Sequence, residues 1–134
     1  MKVFVDTSAF FAILDADDAM HATAAAYLTS ALESRTRLIT SNYVVVETSA
    51  LTRSRLGAEA FRAFTEKLLP VAKIEWVTPQ QHSAATSAAL LVGNAGPSLV
   101  DCTSFEVMRA LGIRTAFAHH RHFSQAGFES AKVG

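Results

Sequence analysis

Short apolar runs alternate with longer amphipathic stretches along this chain, and the alternation indicates the fold class. Strands are predicted at 2–5, 37–40, 73–78 and 113–119, where β-branched and aromatic residues concentrate. Helices are predicted at 9–14, 21–34, 43–56, 58–69, 80–92 and 100–111, and the tail from 124 is polar. Such βαβ alternation predicts an α/β, three-layer fold with a central parallel sheet, built as a single domain over residues 1–134.

Polar residues and glycines mark the ends of several predicted elements. Ser41 and Ser98 precede helical stretches and are suited to capping the free N–H groups of a first turn. Gly57 and Gly112 follow helical stretches and are typical stop signals. "GNAGPS" (93–98) is the clearest loop in the chain.

Composition excludes some classes and leaves others open. Half of the residues are hydrophobic and 18% are charged, which is typical of a globular chain, and no run approaches the length of a membrane span. Lys and Arg total 12, as do Asp and Glu, so no bulk positive charge indicates nucleic-acid binding. The single cysteine, Cys102, is interpreted as a small core residue, and without an export signal a cytoplasmic location is expected.

Three carboxylates stand in uncharged surroundings at positions that favour a shared site. Asp6 closes the first strand, and ligands of an open parallel sheet gather at the carboxyl ends of its strands. Asp101 lies one turn into a predicted helix, and Glu47 stands inside the apolar stretch "YVVVETSAL". Taken singly, each acid also has an ordinary explanation: Asp6 as a helix cap, Asp101 as a dipole partner and Glu47 as an exposed helix position.

Converging carboxylates without soft ligands suit Mg²⁺ or Mn²⁺ better than zinc. Such ions polarise a phosphoryl oxygen and lower the pKa of a coordinated water, so phosphodiester hydrolysis is the reaction class that fits. A cation would also supply the positive field that the neutral chain lacks. Candidate clamps for a phosphodiester backbone are Arg53, Arg55, Arg109 and Arg121, for which ordinary surface solvation is the alternative.

Four blocks of this sequence together resemble a known family. They are "MKVFVDTSAFFAILDADDAMH", "SNYVVVETSAL", "PSLVDCTSFEVMRALGI" and "HRHFSQAGF". In order and spacing they are similar to the PIN domain, and specifically to the VapC-type ribonuclease toxins of prokaryotic toxin–antitoxin pairs. The resemblance implies four or five parallel strands flanked by helices, Mg²⁺- or Mn²⁺-dependent cleavage of RNA, frequent homodimers, and an antitoxin protein that blocks the site.

The resemblance also assigns residues by position. Asp6 matches the first metal-binding aspartate of such domains, Glu47 the glutamate and Asp101 the next aspartate. Thr7 and Ser8 match the small hydroxyl residues that support the first aspartate. Asp6, Glu47 and Asp101 are therefore the predicted catalytic and metal-binding residues, and Arg121 is the candidate RNA contact.

The departure from the family comes at its fourth acid. His120 occupies the place of an aspartate and Ala118 that of a hydroxyl residue, whereas His122 and Phe123 match the usual pattern. A neutral imidazole coordinates Mn²⁺ more readily than Mg²⁺ and removes one negative charge, so weaker cation binding or a shift toward Mn²⁺ is predicted. His120 is then a secondary ligand or an orienting group.

"AFAHHRHF" (116–123) is not interpreted as a three-histidine zinc site. His119 and His120 would diverge on a strand, and His122 belongs to the family pattern. The primary hypothesis is a VapC-like endoribonuclease, and the alternative is a degenerate PIN domain that binds RNA or an antitoxin without cutting. A phosphoacceptor receiver domain is disfavoured because "KVFVDTS" lacks a pair of adjacent acids and no lysine occurs between Lys73 and Lys132.

Overall fold

A five-stranded parallel sheet forms the centre of the computed structural model, which describes residues 1–133. The strands are β1 (Lys2–Val5), β2 (Arg37–Ser41), β3 (Ala72–Glu75), β4 (Thr115–Phe117) and β5 (Glu129–Ser130). Their spatial order is β3-β2-β1-β4-β5, and every neighbouring pair is parallel. The predicted α/β class and parallel sheet are confirmed. The sheet has five strands, where four or five were expected.

Helices connect these strands. They are α1 (Thr7–Leu14), α2 (His21–Glu33), α3 (Asn42–Leu56), α4 (Ala58–Ala63), α5 (Pro79–Val92), α6 (Leu99–Leu111) and α7 (Arg121–Gln125). The chain steps from β1 to β2 to β3 toward one edge, and then α5 and α6 carry it back across the sheet to β4. The strand order therefore reverses between β1 and β4. Because crossovers between parallel strands are right-handed, connections that run in opposite directions place their helices on opposite faces of the sheet.

Side chains from both faces of the sheet fill the core. Phe4, Phe10, Phe64, Phe117 and Met108 are among the largest side chains that solvent does not reach. Ser41 and Ser98 cap α3 and α6 as predicted, and Gly112 ends α6 in the left-handed conformation. Within residues 1–133, no helix combines the length and apolar content that a membrane crossing requires.

Several boundaries differ from prediction. The helix expected over 58–69 is α-helical only to Ala63; a π turn (Phe64–Leu68) and a 3₁₀ turn (Leu69–Val71) follow, where Pro70 lacks an N–H. The strands expected over 73–78 and 113–119 are shorter, since β3 ends at Glu75 and β4 at Phe117. The chain after β4 forms α7, which begins before the predicted polar tail, and the two-residue β5, both too short to leave a periodic signal.

Candidate active site

The predicted acids meet in an open hollow of about 610 Å³ at the carboxyl ends of β1 and β4. Its lining residues are Asp6, Thr7, Ser8, Glu47, Leu51, Ser98, Asp101, His120, Arg121 and His122. This is the place where the strand order reverses, which is where open α/β sheets bind ligands. The structure therefore brings together residues that are up to 116 positions apart in the chain.

Asp6 is fixed by the junction between β1 and α1. Its backbone N–H donates to the carbonyl of Phe117 on β4 at 3.0 Å, and its side chain caps α1. Oδ2 accepts hydrogen bonds from the backbone N–H of Ser8 at 3.1 Å and from the Ser8 hydroxyl at 2.7 Å. Only 2% of Asp6 is exposed, so the carboxylate is rigidly oriented and partly shielded from water.

Asp101 is held by the first turn of α6. Ser98 Oγ accepts from the Asp101 N–H, and Asp101 Oδ2 accepts from the Ser98 N–H, both at 3.1 Å, which forms a reciprocal capping box. Burial raises the pKa of Asp101, but hydrogen bonds from His120, Ser98 and His122 outweigh it and leave this pKa below its usual value. Asp101 therefore stays ionised in the hollow.

Glu47 projects from the second turn of α3 and differs from the two aspartates. Burial raises its pKa above the usual value, repulsion from Asp6 and Asp101 adds to the rise, and the nearby Thr7 hydroxyl opposes it. Thr7 in turn accepts a hydrogen bond from the buried hydroxyl of Thr48 at 3.0 Å. Glu47 thus adds a third carboxylate to the hollow, and attraction by the charged His120 ring partly offsets the rise in its pKa.

His120 bridges the two aspartates. Its Nε2 lies 3.2 Å from Asp6 Oδ2 and 3.4 Å from Asp101 Oδ1. Hydrogen bonding to Asp101, and then to Asp6, raises the pKa of His120 to about 10 against the opposing effect of burial. In the metal-free protein the two buried carboxylates therefore favour the charged ring, whereas the neutral imidazole is the form that could act as a metal ligand.

One contact of His120 fits the neutral ring instead. Nδ1 lies 3.4 Å from the backbone N–H of His122, and a protonated Nδ1 could not accept that hydrogen bond. The contact is long, whereas the two carboxylates provide charge-assisted partners that are worth more than one weak backbone bond. The imidazolium is the form that the surrounding charges favour.

The three histidines of 119–122 take different directions. β4 ends before His119, whose ring packs edge-on against Phe117, so the expected divergence from His120 is seen, though outside a strand. His122 returns to the site, and its Nδ1 lies 3.2 Å from Asp101 Oδ2. The ligand atoms of Asp101, His120 and His122 all lie within 4.8 Å of one another. Sequence reasoning gave His122 no part in the site, although its position two residues after His120 could have suggested one.

The four candidate arginines differ in their position relative to the acidic hollow. Arg121 borders the hollow at the first position of α7. Arg55 lies over the ring of Phe11 at 5.9 Å, and Arg109 lies over the rings of Phe105 and Phe128. Arg53 lines a different hollow beside α4. Only Arg121 among them is placed to contact a substrate bound at the acids.

Comparison with known proteins gives consistent matches over nearly the whole chain. The model of the PIN domain family matches residues 3–129. The 23S rRNA-specific endonuclease VapC20 of Mycobacterium tuberculosis, from strains CDC 1551 / Oshkosh and H37Rv, is 38% identical over 127 residues, covering 94% of this chain and 95% of the relative. The crystal structure of Mycobacterium tuberculosis VapC20, a sarcin-ricin loop cleaving toxin, superposes with a TM-score of 0.84 at 36% identity, covering 98% of this chain and 99% of that one.

Proposed function

The chain belongs to the PIN domain family, and we propose that it is a metal-dependent endoribonuclease of the VapC type. The observation that carries this proposal is the convergence of Asp6, Glu47 and Asp101 on one hollow at the switch point of the sheet. Buried carboxylates gathered in this way are unfavourable without a cation. The endonuclease relative supports RNA as the substrate, since it matches this chain over almost its full length.

The donor set fits a divalent cation. Asp6, Glu47 and Asp101 offer hard carboxylate oxygens, and His120 and His122 offer imidazole nitrogens beside Asp101. Mn²⁺ accepts both kinds of ligand, whereas Mg²⁺ prefers oxygen alone. We therefore infer that Mn²⁺ supports this protein at least as well as Mg²⁺.

Each side chain has a defined task in this proposal. When bound, the cation lowers the pKa of water and neutralises charge on the phosphoryl oxygens. Asp6, Glu47 and Asp101 hold it, while Ser8 fixes the Asp6 carboxylate by a hydrogen bond from its hydroxyl. Arg121, exposed at the rim, is placed to contact a neighbouring phosphate of the RNA backbone.

His120 has two roles that exclude one another. As an imidazolium it neutralises Asp6 and Asp101 and stabilises the metal-free site. Asp6 and Asp101 would hold a cation through the oxygens that His120 now contacts, so His120 would have to turn away or lose its proton and become a ligand. Cation binding is therefore expected to release a proton.

RNA cleavage tests the proposal directly. A sarcin-ricin stem-loop oligonucleotide should be cut by the wild type in Mn²⁺ or Mg²⁺, and cutting should stop in excess EDTA. Asp6→Asn keeps the size of the side chain and removes the charge, so it should abolish cleavage. Equal cleavage by wild type and Asp6→Asn would show contamination or a misassigned site.

A second candidate function is RNA or antitoxin binding without cleavage. His120 favours it, because the ring occupies the space between Asp6 and Asp101 and stands in place of the family's acid. The double variant His120→Asp, Ala118→Thr restores the family pattern. Cleavage that appears only in this double variant would support the binding function over the nuclease.

The remaining expectations are also proposals: an antitoxin partner, a homodimer, a single domain over 1–134 and a cytoplasmic location. Family membership supports the first. A charge-free stretch from Trp76 to Val100 supports self-association, since Leu90 and Leu91 of α5 are 79% and 88% exposed. Light scattering of wild type and a Leu90→Glu, Leu91→Glu variant tests the dimer, which the charged variant should dissociate.

A further inference from the structure

Asp101 lies between two imidazole rings on one side of the acidic hollow. His122 Nδ1 is 3.2 Å from Asp101 Oδ2, and His120 Nε2 is 3.4 Å from Asp101 Oδ1. One ligand atom from each of these three residues lies within 4.8 Å of the other two. The set therefore combines two nitrogens with one oxygen, and neither Asp6 nor Glu47 belongs to it.

The separations of these ligand atoms fit a small tetrahedral ion. Zinc holds nitrogen and oxygen ligands at about 2.0–2.1 Å, which places neighbouring ligands about 3.3–3.4 Å apart. Both distances between a ring and Asp101 are already close to that length. The remaining separations are at most 4.8 Å, and the rings have room to close them, because the side chains of His120 and His122 are 31% and 22% exposed at the open hollow.

Packing between α6 and α7 holds the three residues close together. Asp101 belongs to the first turn of α6, His120 caps α7, and His122 lies in its first turn. Behind them, the buried ring of Phe123 on α7 packs edge-on against Phe105 on α6, with ring centroids 5.0 Å apart. The ligands from the two helices are thus preorganised, which reduces the ordering that an ion must impose.

We propose that Asp101, His120 and His122 form a zinc site whose occupation blocks the proposed catalytic cation. Imidazole nitrogen suits zinc, whereas Mg²⁺ prefers oxygen, and a site of mixed nitrogen and oxygen ligands binds Zn²⁺ more tightly than Mn²⁺. The blocking role rests on the proposed function, because Asp101 is a ligand in both cases. The site is not a three-histidine one, since the ring of His119 packs against Phe117 instead.

Zinc takes the place of ring protons at Asp101. A carboxylate only accepts hydrogen bonds, so each ring now presents an N–H to it. His120 releases its Nε2 proton to solvent when it becomes a ligand, whereas His122 carries its proton on Nε2 once Nδ1 binds the ion. Zinc and protons therefore compete, and the variants below are compared at one pH.

Isothermal titration calorimetry with Zn²⁺ on the metal-free, full-length protein tests the site without RNA. Wild type should bind one Zn²⁺ tightly, and His122→Gln should bind it at least about 100-fold more weakly, because a direct ligand contributes at least as much as an outer-shell partner. Asp6→Asn should bind Zn²⁺ at least as tightly as wild type, since Asp6 is not a ligand and competes for His120. His82→Gln, the matched control, removes an exposed imidazole on α5 and should bind like wild type. Melting temperatures of all four proteins identify any variant that fails to fold.

Cleavage in the presence of zinc tests the blocking role. At a Mn²⁺ concentration that half-saturates cleavage by wild type, one equivalent of Zn²⁺ per protein should stop cleavage of the stem-loop. Undiminished cleavage by the zinc-loaded protein would overturn the blocking role.

The binding outcomes separate this inference from the function on which it rests. Equal zinc affinity in wild type and His122→Gln would overturn the site. A loss in His82→Gln or in Asp6→Asn as large as that in His122→Gln would also overturn it, because zinc would then bind surface histidines or the carboxylates. Wild type that cuts RNA in Mn²⁺ but binds no zinc would overturn this inference alone, whereas zinc binding that depends on His122, without any RNA cleavage, would support the zinc site and overturn the proposed function.

Discussion

The two ends of the sheet carry hollows of almost the same size and opposite chemistry. One hollow begins at the amino ends of β1 and β2 and extends along the edge strand β3 to Glu75; this amino-end hollow has a volume of about 620 Å³, against about 610 Å³ for the hollow at the carboxyl ends of β1 and β4. The charged residues that line the amino-end hollow are Lys2, Arg37, Lys73 and Glu75. Volume alone therefore does not identify the functional end of this molecule.

What separates the two ends is how the charges are held. In the amino-end hollow, Lys73 pairs with Glu75 along β3 at 3.0 Å, but the lysine side chain is 73% exposed, and such pairs contribute little. At the carboxyl end, Asp6 and Asp101 are buried and share one histidine. Buried carboxylates that converge on one histidine in a hollow are typical of functional sites, because burying charged groups is costly for packing alone.

Matched carboxylate substitutions should show the largest difference between the two ends. Asp101→Asn keeps the shape of the side chain but removes a proposed ligand, so RNA cleavage should fall by at least about 100-fold. Glu75→Gln removes a carboxylate from the amino-end hollow and should leave cleavage unchanged. Rates of stem-loop cleavage at saturating Mn²⁺ measure both, and an equal loss in the two variants would contradict the assignment of the site.

The candidate site residues that the sequence predicted stand beside recognisable local patterns, namely strand ends and helix starts. Asp6 follows an apolar strand, and Ser98 and Asp101 stand at a recognisable helix start, so their positions follow from neighbouring residues. The βαβ alternation similarly predicted the parallel sheet and the edge at which the three acids meet. These features need no knowledge of how distant segments pack.

The features that sequence analysis missed depend on contacts between distant segments. His122 reaches Asp101 across 21 positions, and Thr48 reaches Thr7 across 41. The charge on His120 has the same origin, since an isolated histidine titrates near 6.5 and only the pair of aspartates raises its pKa to about 10. β5 has two residues and gains its place by pairing with β4.

His120→Asp should destabilise the metal-free protein and lower the Mg²⁺ concentration that cleavage requires. In EDTA it leaves Asp6 and Asp101 without their cationic partner and adds a like charge, so unfolding free energy should fall by about 1–3 kcal/mol. The restored oxygen ligand should lower the Mg²⁺ concentration for half-maximal cleavage about tenfold. Urea titrations in EDTA and Mg²⁺ titrations of cleavage measure the two effects.

A histidine outside the site provides the control for that exchange. His82 lies on α5 and contacts Tyr43, so His82→Asp should not alter the Mg²⁺ requirement. If His120→Asp leaves both stability and Mg²⁺ requirement as in wild type, the ring does not bridge the aspartates in solution.

The stabilisation from His120 should depend on pH with a defined sign. Its folded pKa of about 10 exceeds the unfolded value near 6.5, so its contribution is fully present below about pH 6.5 and is lost as pH rises through 10. The difference in unfolding free energy between wild type and His120→Gln should therefore be largest near pH 6 and shrink toward pH 10. A difference that stays constant across this range would show that the ring is neutral in the folded protein.

Two exposed arginines, one at each end of the sheet, should show the smallest and most specific difference. Arg121 borders the acidic hollow and Arg37 the amino-end hollow. Arg121→Ala should raise KM for RNA and lower the slope of log affinity against log salt by about 1, because one phosphate contact is lost. Arg37→Ala should change neither quantity if the RNA path stays at the carboxyl end. An equal loss of salt dependence in both variants would mean that RNA extends over both hollows, so that the amino end binds substrate without taking part in its cleavage.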